Sequence, residues 1–80
     1  MSLRSFFVKE IRVRILPGAE YITLNVLLKL EGIIQTGGMA KIYLQENTVL
    51  VNGEMENRRG RKLYPGDVVE AENKRFVVER

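Results

Sequence analysis

Residues 49–54 read Val49-Leu50-Val51-Asn52-Gly53-Glu54, in which two valines on one face lead into an Asn-Gly pair. Both residues of that pair tolerate a positive φ, which makes Asn-Gly the strongest short signal for a β-hairpin. A second turn follows at residues 64–67, Tyr64-Pro65-Gly66-Asp67, where Pro and Gly occupy the two central positions of a type II turn. The two turns predict several short antiparallel strands in the second half of the chain.

Strands are also predicted towards both ends of the chain. Residues 6–15 alternate apolar and charged side chains in their later part, which is the period of a half-buried strand, and Pro17-Gly18 ends the segment. Residues 68–71 form a strand, Asn73-Lys74 turns the chain, and a last strand follows at 75–79. We expect the strand at 6–15 and the strand at 75–79 in the same sheet, with their adjacency left open.

Two short helices are predicted between these regions. Thr23 can cap a helix over about 24–31, because leucines recur there at helical spacing and a glycine follows. A second helix is expected after Thr36, with Thr36 or Gly37 as its cap, and it runs to about Glu46. The order of elements predicts an α+β fold, with two short helices packed on one side of a small, mainly antiparallel sheet.

Composition limits the classes of function. The chain has 80 residues, 45% hydrophobic and 29% charged, which is ordinary for one globular domain spanning 1–80. It has no His, no Cys and a single Asp, so it lacks the side chains behind most nucleophilic, general-base and zinc chemistry. We therefore expect no enzyme activity, no cofactor and no metal. No apolar run approaches the ~20 residues of a membrane span, and we expect a cytoplasmic protein without membrane contact.

The basic loop, residues 58–62, reads Arg58-Arg59-Gly60-Arg61-Lys62 and carries four of the chain's 13 positive charges. Clustered cations repel one another unless something negative lies opposite, and nucleic acid is the commonest polyanion available to a soluble protein. The alternative is a solvated loop that binds nothing. The hairpin before it and the turn after it predict that the basic loop joins two strands of the small sheet.

Two glycines stand where the second helix is expected to start. Gly37-Gly38 weakens the first turn of a helix by up to roughly 1 kcal/mol per glycine relative to Ala. One interpretation is access, because a phosphate can approach the free N–H groups of a helix start when no Cβ is present. The other is that the glycines permit a tight turn between two helices. The sequence does not decide between them.

Four segments in this order resemble the S4 RNA-binding domain, and most of all its short stand-alone members. They are residues 27–32 (LLKLEG), 36–41 (TGGMAK), 49–54 (VLVNGE) and 64–69 (YPGDVV). The resemblance covers a core of about 21–72, and the strands at 6–15 and 75–79 would complete the sheet. It implies the S4-like fold, the αL motif, and binding of structured RNA through the start of the second helix and the adjoining loop.

The chain departs from the family where relatives carry Ser followed by basic residues. Here the residues are Thr36-Gly37-Gly38, and Lys41 is the basic residue of the second helix. We therefore expect the basic loop to contribute more of the RNA affinity than it does in those relatives. The pseudouridine synthase, tRNA synthetase and methyltransferase activities of larger relatives are not carried over, because no such catalytic domain is present in these residues.

The expected function is therefore non-catalytic binding of structured RNA by a monomer. Ribosomal RNA, in ribosome assembly or function, is the expected target, and tRNA and the ribosome itself stay open as partners. A protein-interaction adaptor that uses the sheet edges or the face carrying Arg12 and Arg14 is the alternative. The residues expected to contact RNA are Thr36, Gly37, Gly38, Lys41, Asn52, Arg58, Arg59, Arg61 and Lys62.

Overall fold

A computed structural model describes residues 9–80. Residues 6–8 of the expected first strand lie outside the described part of the chain. The helices are α1 (Leu24–Leu30) and α2 (Met39–Glu46). The strands are β1 (Lys9–Arg14), β2 (Ile22–Thr23), β3 (Leu50–Val51), β4 (Glu54–Met55), β5 (Lys62–Leu63), β6 (Val68–Ala71) and β7 (Lys74–Glu79).

The strands form a five-stranded sheet and a separate two-stranded pair. The order in the larger sheet is β1-β7-β6-β3-β4, and all its pairings are antiparallel except β1 with β7. The pair is antiparallel β2-β5. The predicted α+β fold, with two helices on a mainly antiparallel sheet, is confirmed. The expected place of the basic loop is wrong in one respect, because the loop leads from β4 of the larger sheet to β5 of the pair.

The turns predicted at Asn52-Gly53 and Pro65-Gly66 are both present. Asn52 and Gly53 have φ values of 53° and 85° between β3 and β4, as a two-residue hairpin turn requires. Gly66 has φ 97°, and the Asp67 N–H donates to the Tyr64 carbonyl at 2.9 Å. These local predictions are confirmed because the turn residues themselves select the backbone geometry.

The last hairpin turns one residue earlier than expected. Glu72 and Asn73 carry the positive φ values, 54° and 59°, and Lys74 already belongs to β7, opposite Ala71. This register places Val69 opposite Phe76, and both side chains are fully buried. A turn centred on Asn73-Lys74 would shift the pairing and lose that alignment of apolar side chains.

The first helix begins at Leu24 after Thr23, as predicted, whereas the second helix begins later than expected. Thr23 is the N-cap of α1, but its hydroxyl bonds the Asn25 side chain at 2.5 Å instead of capping a backbone N–H. The second helix starts at Met39 with Gly38 as its N-cap, so the expected cap at Thr36 or Gly37 is wrong. The carbonyl of Thr36 instead closes a tight turn by accepting from the Met39 N–H at 3.1 Å. Glycine's low helix propensity explains the later start.

One apolar core joins the helices to the sheet. Leu24, Leu27 and Leu28 are fully buried along α1, which ends where Gly32 adopts φ 75°. The other buried apolar side chains are Val13, Ile15, Ile22, Ile34, Ala40, Leu44, Val49, Val51, Leu63, Val69, Ala71, Phe76 and Val78. Within residues 9–80, no helix is long and apolar enough to cross a membrane.

A hydrogen bond ties α2 to the turn between β6 and β7. The Tyr43 hydroxyl donates to the Glu72 carboxylate. Partial burial of the phenol raises the pKa of Tyr43, and the bond and negative charge of Glu72 raise it further. Tyr43 therefore keeps its proton and fixes α2 against the sheet.

Candidate nucleic-acid interface

The basic loop is held against the start of α1 by backbone hydrogen bonds. The Leu24 N–H donates to the Arg61 carbonyl and the Asn25 N–H to the Arg59 carbonyl, each at 2.9 Å. These two amides belong to the first turn of α1, where a helix has no internal acceptors. The basic loop therefore accepts the hydrogen bonds that these first amides of α1 cannot make within the helix, and the same bonds fix the backbone of the loop.

A buried carboxylate organises the arginines of the basic loop. Glu56 has a side chain only 7% exposed. It accepts from Arg58 Nε at 3.0 Å and Nη2 at 3.2 Å, and from Arg61 Nη1 at 2.7 Å. The Arg58 backbone N–H adds a bond of 3.1 Å to the same carboxylate. One anion thus binds two cations and a backbone donor of the segment that follows it.

These bonds set the protonation of Glu56. The side-chain hydrogen bond from Arg58 outweighs the effect of burial and, with Arg61, lowers the pKa of Glu56 from its usual 4.5 to about 2. The same contact raises the pKa of Arg58. Glu56 is therefore an anion at any physiological pH. Sequence reasoning missed it, although the signal was a carboxylate two residues before a run of four cations.

Residues 56–62 keep a net positive charge. Four cations and one carboxylate leave a net charge of +3 over residues 56–62. The Arg58 side chain is 71% exposed although it is paired, whereas that of Arg61 is 32% exposed. Two of the five N–H donors of the Arg58 guanidinium bond Glu56, which leaves three for another acceptor. Among residues 9–80, Arg59 forms no salt bridge.

An open groove of about 700 Å³ runs beside the basic loop. It is lined by Arg58, Gly60, Arg61, Lys62, Tyr64 and Asp67. The Lys62 ammonium lies over the Tyr21 ring, 5.0 Å from its centroid, and so is drawn to this side of the β2-β5 pair. Three cations therefore border one concave surface.

The two glycines before α2 are not explained by packing or by backbone strain. Gly38 has φ −67°, and a Cβ on Gly37 or Gly38 would meet its nearest neighbour at 3.9 or 4.0 Å, an ordinary contact. Within the described chain, neither amide N–H has a hydrogen-bond acceptor. The structure is compatible with both interpretations of the glycines: residues 36–39 form a tight turn closed by the Met39 N–H, and the amides of Gly37 and Gly38 have no acceptor within the described chain.

Asn25 connects the start of α2 to the basic loop. Its side-chain nitrogen is the atom nearest to a Cβ placed on Gly37, and its backbone N–H bonds the Arg59 carbonyl. The start of α2 and the basic loop therefore both lie against Asn25. Lys41 is exposed on α2 and, in the part of the chain described, makes no salt bridge. Sequence reasoning missed Asn25, because nothing in the local pattern marks it.

Asn52 is bonded to Asp67, which lines the groove, and it also stabilises the fold. Its side-chain nitrogen donates to Asp67 Oδ1 at 3.1 Å, and its side-chain oxygen accepts from the Val68 N–H at 2.9 Å. Asp67 Oδ2 in turn accepts from the Tyr64 N–H at 2.8 Å. The Asn-Gly turn and the Pro-Gly-Asp turn are therefore bonded to each other, which explains why the two motifs occur together.

Comparison with known proteins agrees with this architecture. The sequence profile described as "S4 domain" matches residues 15–79. The chain is also similar to the "Probable ribosome maturation protein RlbA" of Bacillus subtilis (strain 168). The two are 66% identical over 53 residues, which is 66% of this chain and 75% of that protein. The resemblance expected from the sequence is confirmed, and the chain belongs to the S4 domain family.

Proposed function

We propose that this protein binds structured RNA without catalysing a reaction, and that its role lies in ribosome maturation. The observation that carries the proposal is the basic loop, which is held in one shape by Glu56 and by the start of α1. Membership of the S4 domain family and similarity to a protein named for ribosome maturation support it. Ribosomal RNA is the proposed target.

Phosphate groups are the proposed ligands of the basic loop. Arg58, Arg59, Arg61 and Lys62 supply the charge, and a guanidinium can bind a phosphate through two parallel N–H bonds. Because Glu56 already orders two of these side chains, less conformational entropy is lost when RNA binds. A rigid cationic surface of this kind suits the shape of folded RNA better than the reading of base sequence.

The start of α2 is proposed as a second, smaller contact. Thr36, the free amides of Gly37 and Gly38, and Lys41 would meet a phosphate next to those bound by the basic loop. Asn52 is proposed as a further contact, because it is exposed and its side-chain amide, bonded once to Asp67 and once to Val68, keeps one N–H and one lone pair for RNA.

A non-catalytic role agrees with the chemistry of the groove. Among the described residues the buried carboxylate is Glu56, and its two arginines hold it ionised with a pKa of about 2. A general base works best when its pKa lies near the working pH, so Glu56 is poorly suited to proton transfer.

The salt dependence of binding tests the electrostatic mechanism. If the protein neutralises about four phosphates, log K for ribosomal RNA falls with log salt at a slope of about −3 to −4. The double variant R59Q/K62Q leaves both partners of Glu56 in place and should weaken binding while reducing the slope by about 2. Filter binding or fluorescence anisotropy at several salt concentrations measures both quantities.

A matched control separates the basic loop from net charge alone. Lys9 and Lys74 face each other across β1 and β7 and are exposed, and K9Q/K74Q removes the same two charges. We expect this variant to bind nearly as tightly as the parent. Equal losses in the two double variants would mean that overall charge, and not the basic loop, governs binding.

The target is tested by crosslinking in cells, followed by sequencing of the bound RNA. The proposal predicts recovery of ribosomal RNA with the parent and its loss with R59Q/K62Q. Recovery of tRNA alone would refute the ribosomal assignment and leave RNA binding in place. If the protein is instead an adaptor that binds a partner protein through edge strand β1 or β4, neither ribosomal RNA nor tRNA would be recovered. The partner protein would then be captured equally by the parent and by R59Q/K62Q.

A further inference from the structure

Two tyrosines stand side by side on the outer face of the β2-β5 pair. The ladder places Ile22 opposite Leu63, and both of these side chains are buried. Because side chains alternate between faces, Tyr21 and Tyr64, one position further out, point to the other side. Their ring centroids are 5.6 Å apart with planes at 53°, and the two residues are 36% and 44% exposed.

The fold does not need these rings for its interior. Ile22 and Leu63 already fill the core at this point. In residues 9–80, the hydroxyls of Tyr21 and Tyr64 make no hydrogen bond to another side chain or to the backbone, in contrast to Tyr43. Tyr21 instead supports Tyr64 through the ring contact and holds the Lys62 ammonium over its own face.

Tyr64 also borders the groove that carries the arginines. Arg58, Arg61 and Lys62 line the same open groove, together with Gly60 and the Asp67 carboxylate. A flat aromatic face next to several phosphate-binding cations matches the two parts of a nucleotide, since bases stack on tyrosine and phosphates pair with cations. A duplex cannot use such a face, because its bases are stacked on one another.

We propose that Tyr64, supported by Tyr21, stacks against one unpaired base of the bound RNA while Arg58, Arg61 and Lys62 hold the adjoining phosphates. This inference rests on the proposed function and adds an unpaired nucleotide to it as the recognised element. Because every base has a face that can stack on an aromatic ring, the site would accept different bases and respond to the nucleotide being unpaired.

The probe is single-stranded octa-adenylate RNA, compared with an octamer of the same phosphate count in which abasic spacers replace every nucleotide. The parent should bind the base-bearing strand about 5- to 150-fold more tightly, the range for one base stacked on an aromatic side chain. Y64L should reduce this ratio to about one, whereas Y64F, which keeps the ring, should preserve it. Y43F changes the tyrosine that does not line the groove, and because it also removes the bond to Glu72, its unfolding midpoint is measured beside its affinity.

Tyrosine fluorescence gives a second readout, because the chain has three Tyr and no Trp. Octa-adenylate should quench the tyrosine emission of the parent and of Y43F, and the abasic strand should not. Since the abasic comparison is made on the unaltered protein, it stands even if Y64L fails to fold.

The outcomes separate this inference from the proposed function. If the parent binds ribosomal RNA but shows equal affinity for the two octamers, the stacking site is wrong and RNA binding stands. If Y64L loses affinity for both octamers equally, Tyr64 has a structural role and the inference is again wrong. If the parent binds neither ribosomal RNA nor the octamers, both proposals fail.

Discussion

Replacement of Glu56 by Gln removes the anion at the centre of the basic loop with little change in shape. The difference between the usual pKa of 4.5 and the folded value of about 2 corresponds to roughly 3 kcal/mol of stability at neutral pH. Arg58 and Arg61 are 71% and 32% exposed, so solvent screens the attraction, and we expect a loss of about 1–2 kcal/mol. Urea unfolding at pH 7, with parent and variant compared, measures it.

The pH dependence of the same variant has a definite sign. A carboxylate whose pKa is lowered by folding contributes its stability fully above the unfolded value near 4.5, and the contribution is lost as pH falls towards 2. The difference in the free energy of unfolding between the parent and E56Q should therefore disappear as the pH falls from about 5 to about 2. A constant difference across that range, or equal stability at pH 7, would refute the reasoning.

RNA binding by E56Q shows whether affinity depends on the ordering of the arginine side chains by Glu56 or on the net charge of residues 56–62. The substitution raises the net charge over residues 56–62 from +3 to +4, so a mechanism based on charge alone predicts tighter binding. Loss of the bonds from Glu56 frees two arginine side chains, and ordering each again costs about 0.5–1.5 kcal/mol. We expect affinity to fall by about fivefold at 150 mM salt. Tighter binding would show that Glu56 does not prepare the surface for RNA.

Other substitutions test the turns, the glycines and the core. N52A removes the bond to Asp67 and the bond from the Val68 N–H, and it should cost about 1–2 kcal/mol in urea unfolding, whereas N57A, at an exposed position, should cost less than about 0.5. G38A should leave stability unchanged or raise it by up to about 1 kcal/mol, since φ is −67° and the Cβ fits, yet weaken RNA binding. G66A, at φ 97°, should destabilise by about 1–2 kcal/mol, and equal effects of the two glycine variants would contradict this backbone argument. L28A, at a fully buried position, should cost about 2–5 kcal/mol and lower the midpoint of thermal unfolding.

The sequence predicts those parts of this fold that depend on neighbouring residues. The turn at Asn52-Gly53, the stop of α1 before φ 75° at Gly32, and the buried leucines each follow from local chemistry. The last turn was misplaced by one residue because strand register is decided by pairing across the sheet. Val69 opposite Phe76 is a contact that neither segment shows by itself.

The candidate site divides in the same way. A run of cations is visible in the sequence, but the role of Glu56 depends on burial, which only the folded chain provides. Asn25 was missed because its contacts lie with Arg59 and Gly37, each more than ten residues away. The bonds from the Asn52 side chain to Asp67 and Val68 could not be predicted either, because they join residues that are distant in the sequence.

The parallel pairing of β1 with β7 has a consequence for how the chain folds. Its partners, from Lys9 with Lys74 to Arg14 with Glu79, are separated by almost the whole described sequence, whereas β3-β4 and β6-β7 are joined by two-residue turns. Contacts between distant residues close large loops and slow folding, so the hairpins should form first and β1 should join last. During synthesis, β1 leaves the ribosome early and has to wait, unpaired, until β7 has been made.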